Sequence, residues 1–253
     1  MTLPVNRFKA RLGAGTPQIG IWNTIGGPVV PEILALCGFD WVLIDTEHSP
    51  MEVTDALRTL QVLAGHPAIS PVVRPAWNDP VLIKRHLDQG AQTLLVPYVE
   101  TPDEARAAVA AMRYPPAGMR GVAGLTRATG YGTVAGYAER AAGELCLIVQ
   151  VETAPALDRI EEIAAVEGVD GVFIGPADLA ASMGLPGGAG RPEVVAAILD
   201  GLARLKSAGR PSGLLTPDAG LARRYIDAGA AFVAVGVDAG LLVSAARQLR
   251  QQF

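Results

Sequence analysis

The chain has 253 residues, half of them apolar, and a formal charge of −4 at neutral pH. That length suits a single (β/α)8 barrel over residues 1–253, the apolar share excludes a disordered chain, and the mild charge offers no basic face for nucleic acid. Two cysteines, Cys37 and Cys146, are too few for a disulfide framework or a thiolate zinc cluster and read as buried thiols in a reducing cytoplasm.

Residues 1–12 hold basic residues but no apolar stretch of the kind a signal peptide needs. From there short β-rich runs alternate with Ala/Leu-rich helical stretches. The predicted strands cover 18–23, 41–46, 71–74, 93–99, 145–152, 171–175, 212–216 and 232–237. Several are apolar almost throughout (LLVPYV, LCLIVQV, FVAVGV), the pattern of parallel strands covered on both faces. Helix starts fall between them. Asp79-Pro80 places a cap before a first-turn proline and Gly90 stops that helix; Thr101-Pro102-Asp103-Glu104 spells a capping box; Pro192-Glu193 and Pro217-Asp218 open later helices. The apolar tract 228–246 contains Asp238 and three glycines and reads as a strand entering a helix, not a membrane span. Eight β–α units without a long linker predict a closed barrel of the TIM type. The glycines of 184–190 follow a helical turn without a lysine, so no phosphate loop is read there.

In such a barrel the active site forms where the strands end. Polar residues gather at those ends: Trp22 and Asn23 on the first strand, Asp45-Thr46-Glu47-His48 on the second, Arg74 on the third, Gln150-Val151-Glu152 on the fifth, and Gly175-Pro176-Ala177-Asp178 after the sixth. Each has a plain alternative. Asp178 could cap the following helix, a lone histidine is usually structural, and an arginine may simply pair with a carboxylate. Five strand ends with ionisable or amide groups exceed what capping requires, and converging charge is costly unless a metal or ligand compensates it. Glu152 and Asp178, hard donors on adjacent strands, are the candidate metal ligands, favouring Mg²⁺ or Mn²⁺, with Co²⁺ also admissible. Such an ion would leave positions for a 2-oxo acid and act as a Lewis acid. Arg74 supplies fixed charge for a developing enolate or carboxylate oxygen. His48 is the proton carrier, with Asp45 expected to orient its imidazole. His66 and His86 are assigned structural or surface roles. The three lysines, Lys9, Lys84 and Lys206, avoid the strand ends, which speaks against an imine mechanism.

Residues 38–50 (GFDWVLIDTEHSP), 72–80 (VVRPAWNDP), 89–97 (QGAQTLLVP), 114–122 (YPPAGMRGV), 150–153 (QVET) and 173–184 (FIGPADLAASMG) together resemble the HpcH/HpaI aldolase family, in order and over nearly the whole chain. The resemblance implies a class II pyruvate aldolase that joins or splits pyruvate, or hydroxypyruvate, and an aldehyde. It implies His48 as the acid/base, acting directly or through a metal-bound water, Arg74 as enolate stabiliser, and Glu152 and Asp178 as metal ligands. It further implies 2-oxo acid binding by Gln150 and by backbone N–H groups around Ala177 and Asp178, beside Gly175 and Pro176, with Trp22 and Leu215 lining the pocket. It implies a homohexamer, a trimer of dimers with an exchanged C-terminal helix, in which Asp88 tunes a neighbour's histidine. Residues 118–132 follow a helix, so they are expected to wrap a neighbour and bring Arg127 to its acceptor aldehyde. The competing readings are a CoA-ester lyase of the citrate lyase β-subunit kind, for which no basic cluster is evident, and a non-catalytic binding barrel.

Overall fold

In the strands, alternate residues face opposite ways, and here both directions are apolar, so each strand must be covered inside and out. The computed structural model, which describes residues 2–253, meets that demand with a barrel. In chain order, α1 (Arg7–Leu12) precedes β1 (Gln18–Asn23), α2 (Val29–Ala35) and β2 (Trp41–Asp45). Next come α3 (Val53–Leu63), β3 (Ser70–Arg74), α4 (Pro80–Asp88), β4 (Thr93–Val96) and α5 (Pro102–Met112). Then α6 (Tyr137–Glu144) leads into β5 (Cys146–Val151), α7 (Ala154–Asp158), α8 (Ile160–Ala164) and β6 (Gly171–Ile174). The series closes with α9 (Pro176–Ser182), α10 (Pro192–Ser207), β7 (Ser212–Leu215), α11 (Ala219–Asp227), β8 (Phe232–Val237) and α12 (Asp238–Arg250). Among the described residues these eight strands pair in sequence order, all parallel, and β8 returns to β1, closing the sheet.

Two apolar clusters result. The larger one lies between the strands' outward faces and the helices, with Val42, Ile44, Val73, Leu94, Val149 and Ile174 among its strand residues. The smaller one fills the barrel with Trp22, Trp41, Leu43, Val72, Leu95, Ile148, Phe173 and Phe232, the strand positions in between. Gly20 makes room for it: a Cβ there would lie 2.1 Å from the Trp41 ring. From below, α1 inserts Phe8, whose ring meets Trp41 edge-on at 5.8 Å and Phe232 at 5.5 Å. The barrel is a packed core, so only its upper rim can host chemistry.

The caps read from the sequence form. Asp79 accepts from the N–H groups of Val81 and Leu82, and Thr101 with Glu104 makes a reciprocal capping box. Several expectations need correction. The fourth strand ends at Val96, not Val99, because Pro97 cannot donate to the ladder and Tyr98 turns away with φ +50°. The helix read from Pro217-Asp218 does form, with Asp218 capping α11. Cys37 is exposed beyond the end of α2, so only Cys146 is a buried thiol. In α12 only Asp238 is buried, and Leu241, Leu242, Val243 and Leu249 face solvent in the single chain. No helix among the described residues is long and apolar enough to cross a membrane.

Candidate active site

The inward-facing rule that sends Trp41 and Leu43 into the barrel sends Asp45 there as well, one layer higher. The same parity on β3 carries Arg74. Asp45 and Arg74 are register partners on adjacent strands, so their side chains meet. Arg74 donates Nε–H to Asp45 Oδ1 at 2.9 Å and Nη2–H to Oδ2 at 2.6 Å, a two-pronged pair in which both partners are buried. Trp22 donates its indole N–H to Asp45 Oδ2 at 3.2 Å, and its ring lies 5.2 Å beneath the guanidinium. Burial alone would push the Asp45 carboxyl up; the hydrogen bonds and charge of Arg74 outweigh it and hold the group below its ordinary range.

This overturns one expectation. Asp45 does not orient the His48 imidazole: its carboxylate is engaged by Arg74 and Trp22, and it reaches His48 only through the backbone N–H, at 3.3 Å. The histidine side chain is 63% exposed, with Nε2 3.8 Å from Glu47 Oε1. Glu47 sits between the two. Its Oε2 lies 2.8 Å from Arg74 Nη1, an ion pair in which no N–H points at the oxygen, so that buried oxygen has no hydrogen bond. Burial pushes the Glu47 carboxyl up to about 7, against the pull of Arg74 and helped by the charges of Asp45 and Asp178.

Opposite this group stands the fifth strand's end. Gln150 points inward and donates Nε2–H to Glu152 Oε2 at 2.5 Å, while its own Oε1 is buried without a partner. Glu152 Oε1 accepts the backbone N–H of Tyr98 at 2.9 Å. Burial raises Glu152 to about 7; its two hydrogen bonds oppose the shift, and the charges of Asp178 and Glu47 add to it. Gly175 is required here, since a Cβ would fall 2.7 Å from Glu152 Oε2. Beyond it Pro176, Ala177 and Asp178 form the first turn of α9. No side chain caps that turn, which removes the capping alternative for Asp178. Its Oδ1 accepts instead from the Tyr98 hydroxyl at 3.2 Å. Burial, followed by the charge of Asp178, pushes the Tyr98 hydroxyl up to about 12, so it remains a donor.

Leu215, at the end of β7, packs half-buried against the interior cluster that includes Trp22. Two assigned residues lie elsewhere. Asp88 ends α4, pairs with Arg120 Nη2 at 2.8 Å, and does not join the His48 group of its own chain. Arg127 is held by its own chain as well, donating to the carbonyls of Gln89 at 2.9 Å and Leu60 at 3.1 Å. Those bonds tie residues 118–132 to the ends of α3 and α4 of the same chain. His86 is buried beneath the rim, its Nε2 3.3 Å from Thr46 Oγ1, and burial lowers it to about 4.

Three residues of the rim escaped the sequence reading. Glu47 lies in the run Asp45-Thr46-Glu47-His48, where sequence alone singles out its neighbours Asp45 and His48. Tyr98 falls inside the strand predicted over 93–99, and its one signal is a phenol directly after the proline that ends the fourth strand. Asp238, at the start of α12, takes hydrogen bonds from the Asn23 side chain at 2.7 Å and from the N–H groups of Thr24 and Ile25, fixing the loop after β1.

The donor set fits a hard divalent cation. Glu152 and Asp178 offer carboxylate oxygens on neighbouring segments, bridged by Tyr98. Among the described residues no three His, Cys, Asp or Glu side chains form a complete cage, so an ion held by two carboxylates keeps open positions.

The profile of the HpcH/HpaI aldolase/citrate lyase family matches residues 18–245. The chain is 60% identical over 253 residues to a hydroxypyruvate/pyruvate aldolase of Sagittula stellata, covering all of both chains. It is 51% identical to a 4-hydroxy-2-oxo-heptane-1,7-dioate aldolase of Shigella sonnei, over 98% of this chain and 95% of that one. Its fold superposes with a TM-score of 0.94 on an HpcH/HpaI aldolase/citrate lyase family protein of Burkholderia cenocepacia, at 41% identity over 98% of this chain and 99% of that one.

Proposed function

Since the chain belongs to the HpcH/HpaI aldolase/citrate lyase family, we propose that it catalyses metal-dependent aldol addition and cleavage between pyruvate or hydroxypyruvate and an aldehyde, giving 4-hydroxy-2-oxo acids. It is a carbon–carbon lyase, as its aldolase relatives are. The observation that carries the finer reading is the juxtaposition of a rigid cation, Arg74, with the carboxylates of Glu152 and Asp178 across one barrel mouth.

A divalent cation, Mg²⁺, Mn²⁺ or Co²⁺, held by Glu152 and Asp178 would supply Lewis acidity toward the keto oxygen of the 2-oxo acid. Gln150, through the Nε2–H group that now donates to Glu152, and the uncapped N–H groups of Ala177 and Asp178, beside Gly175 and Pro176, would orient the acid. Asp45 and Trp22 hold the guanidinium of Arg74 in one plane, ready for negative charge that develops on the keto oxygen as the methyl group loses a proton. Glu47 pairs with Nη1 of Arg74 without taking an N–H from it, so those N–H groups would remain for a substrate oxygen. His48, open to solvent, would carry the proton at Nε2 and exchange it with water. Trp22 and Leu215 would bound the pocket.

The test is exchange of the pyruvate methyl protons in deuterium oxide, followed by NMR without aldehyde. Exchange should stop with EDTA and return with Mn²⁺ or Mg²⁺, and the protein supplied with aldehydes should release 4-hydroxy-2-oxo acids. Exchange that survives chelation, or a borohydride-trapped lysine adduct, would end this reading.

We propose also that the chain forms a homo-oligomer, a hexamer built as a trimer of dimers. The support is α12, whose leucines and Val243 stand uncovered, as do Val29, Ile33 and Leu36 around α2. In such an assembly Asp88 could reach only a neighbour's His48. Light scattering decides: a fully active particle of one chain's mass rules the assembly out.

A further inference from the structure

One residue touches both carboxylates of the proposed metal site. Tyr98 gives its backbone N–H to Glu152 and its hydroxyl to Asp178. The left-handed backbone at Tyr98, φ +50°, is unfavourable for a residue with a side chain. It lets a single residue turn its N–H to the end of β5 while its ring crosses to the start of α9. The ring is also held from behind. Trp77 stacks on it with centroids 5.5 Å apart and planes 29° from parallel. The Trp77 loop is itself tied down, by Asn78 Nδ2 donating to the Glu104 carbonyl at 3.1 Å and by the Asp79 cap of α4. Among the described residues the Tyr98 hydroxyl is the only hydrogen-bond partner of the Asp178 side chain.

We infer that Tyr98 is a positioning residue for the divalent cation: it fixes the rotation of Asp178 through Oδ1, leaving Oδ2 for the ion, and fixes Glu152 through Oε1. The inference rests on the metal reading of Glu152 and Asp178 given above. A carboxylate without an outer partner must lose its own rotation when it binds an ion. One already oriented does not, which is why outer partners of metal ligands matter to affinity. Trp77 serves the same end more remotely, because a backed ring keeps the hydroxyl in reach of Asp178.

The test is Mn²⁺ binding to the chelator-stripped protein, by calorimetry and by the electron paramagnetic resonance of free Mn²⁺. Tyr98→Phe keeps the ring, the stack and the backbone N–H, and removes only the hydroxyl. It should weaken Mn²⁺ binding by about tenfold, the lower end of the usual range for outer partners, with an unchanged thermal melt. Trp77→Ala, which leaves every one of these hydrogen bonds available, should weaken binding by a smaller factor, and it carries the test if Tyr98→Phe does not fold. Wild-type affinity in these variants, while Asp178→Asn loses the ion, overturns the positioning role and leaves the metal reading intact. A wild-type protein that binds no Mn²⁺ removes both.

Discussion

The two ends of the barrel are made by the same strands under the same alternation, yet they are built in opposite ways. At the bottom, the inward residues and α1 bring together Phe8, Trp41 and Phe232, rings in edge contact. The buried polar side chains beside them, Asn6, Gln18 and Thr93, are neutral, and of their oxygens Gln18 Oε1 lacks a partner. Asn6 Nδ2 donates to Thr93 Oγ1 at 3.0 Å and to the Glu144 carbonyl at 2.9 Å, its Oδ1 caps α1, and the Trp41 indole donates to the Gln18 carbonyl. At the top, two inward positions above Trp41 on β2 and at the ends of β3 and β5, the inward residues are Asp45, Arg74, Gln150 and Glu152, with Glu47 above them. Two carboxyls there are raised to about 7, and the Gln150 and Glu47 oxygens lack hydrogen bonds. The bottom holds the fold together. The top places charge where folding alone would not put it, and the difference identifies the end that works.

The contrast is broken most severely by a pair of truncations. Arg74→Ala should lower turnover by roughly 10²–10³-fold, the scale for losing a positive group where charge develops. It should also cost about 3–5 kcal/mol of stability, because Asp45 is left buried without its cation. Phe8→Ala should cost a similar amount, about 3–5 kcal/mol, through the cavity it opens, but turnover per folded molecule should stay at the wild-type level. Urea denaturation together with pyruvate proton exchange reads both quantities. Equal losses of turnover in the two variants would erase the distinction between the ends.

A smaller change sharpens it with the opposite sign. Glu152→Gln should stabilise the metal-free protein at pH 8. The Glu152 carboxyl lies at about 7 in the folded protein against an ordinary 4.5. The folded chain therefore binds the proton more tightly than the unfolded chain. Stability from this group is full below pH 4.5 and is lost as pH rises through 7, by roughly 3 kcal/mol at 1.36 kcal/mol per unit. The amide that replaces it carries no charge, and Gln150 can turn its unpaired Oε1 toward the new N–H. Denaturation of chelator-stripped protein between pH 4 and 8 should show this fall in the wild type, reduced by that amount in the variant. Parallel pH curves would mean that Glu152 is not strained by its burial. The same variant should lose Mn²⁺ binding, so stability and function would move apart at one atom.

Sequence alone determined what depends on neighbours along the chain. Strand alternation, the cap at Asp79 and the capping box at Thr101 are local, and they were legible as eight β–α units. The polar strand ends were legible too: Asp45, Arg74, Gln150 and Glu152 announced the rim, and the family followed from the motifs that contain them. Only the tertiary structure decided which of those groups meet. Register across β2 and β3 gave Asp45 to Arg74, not to the imidazole of His48, although His48 is three residues away and Arg74 is twenty-nine. The backbone reversal after Pro97 carried Tyr98 out of the strand and onto two carboxylates from β5 and α9. Arg127 was drawn to the carbonyl ends of α3 and α4, and Asp238 to the loop after β1, two hundred and more residues back. Local sequence sets which way a side chain points. Its partner is set by where barrel closure brings the other strands, and that distance is not written in any stretch of neighbouring residues.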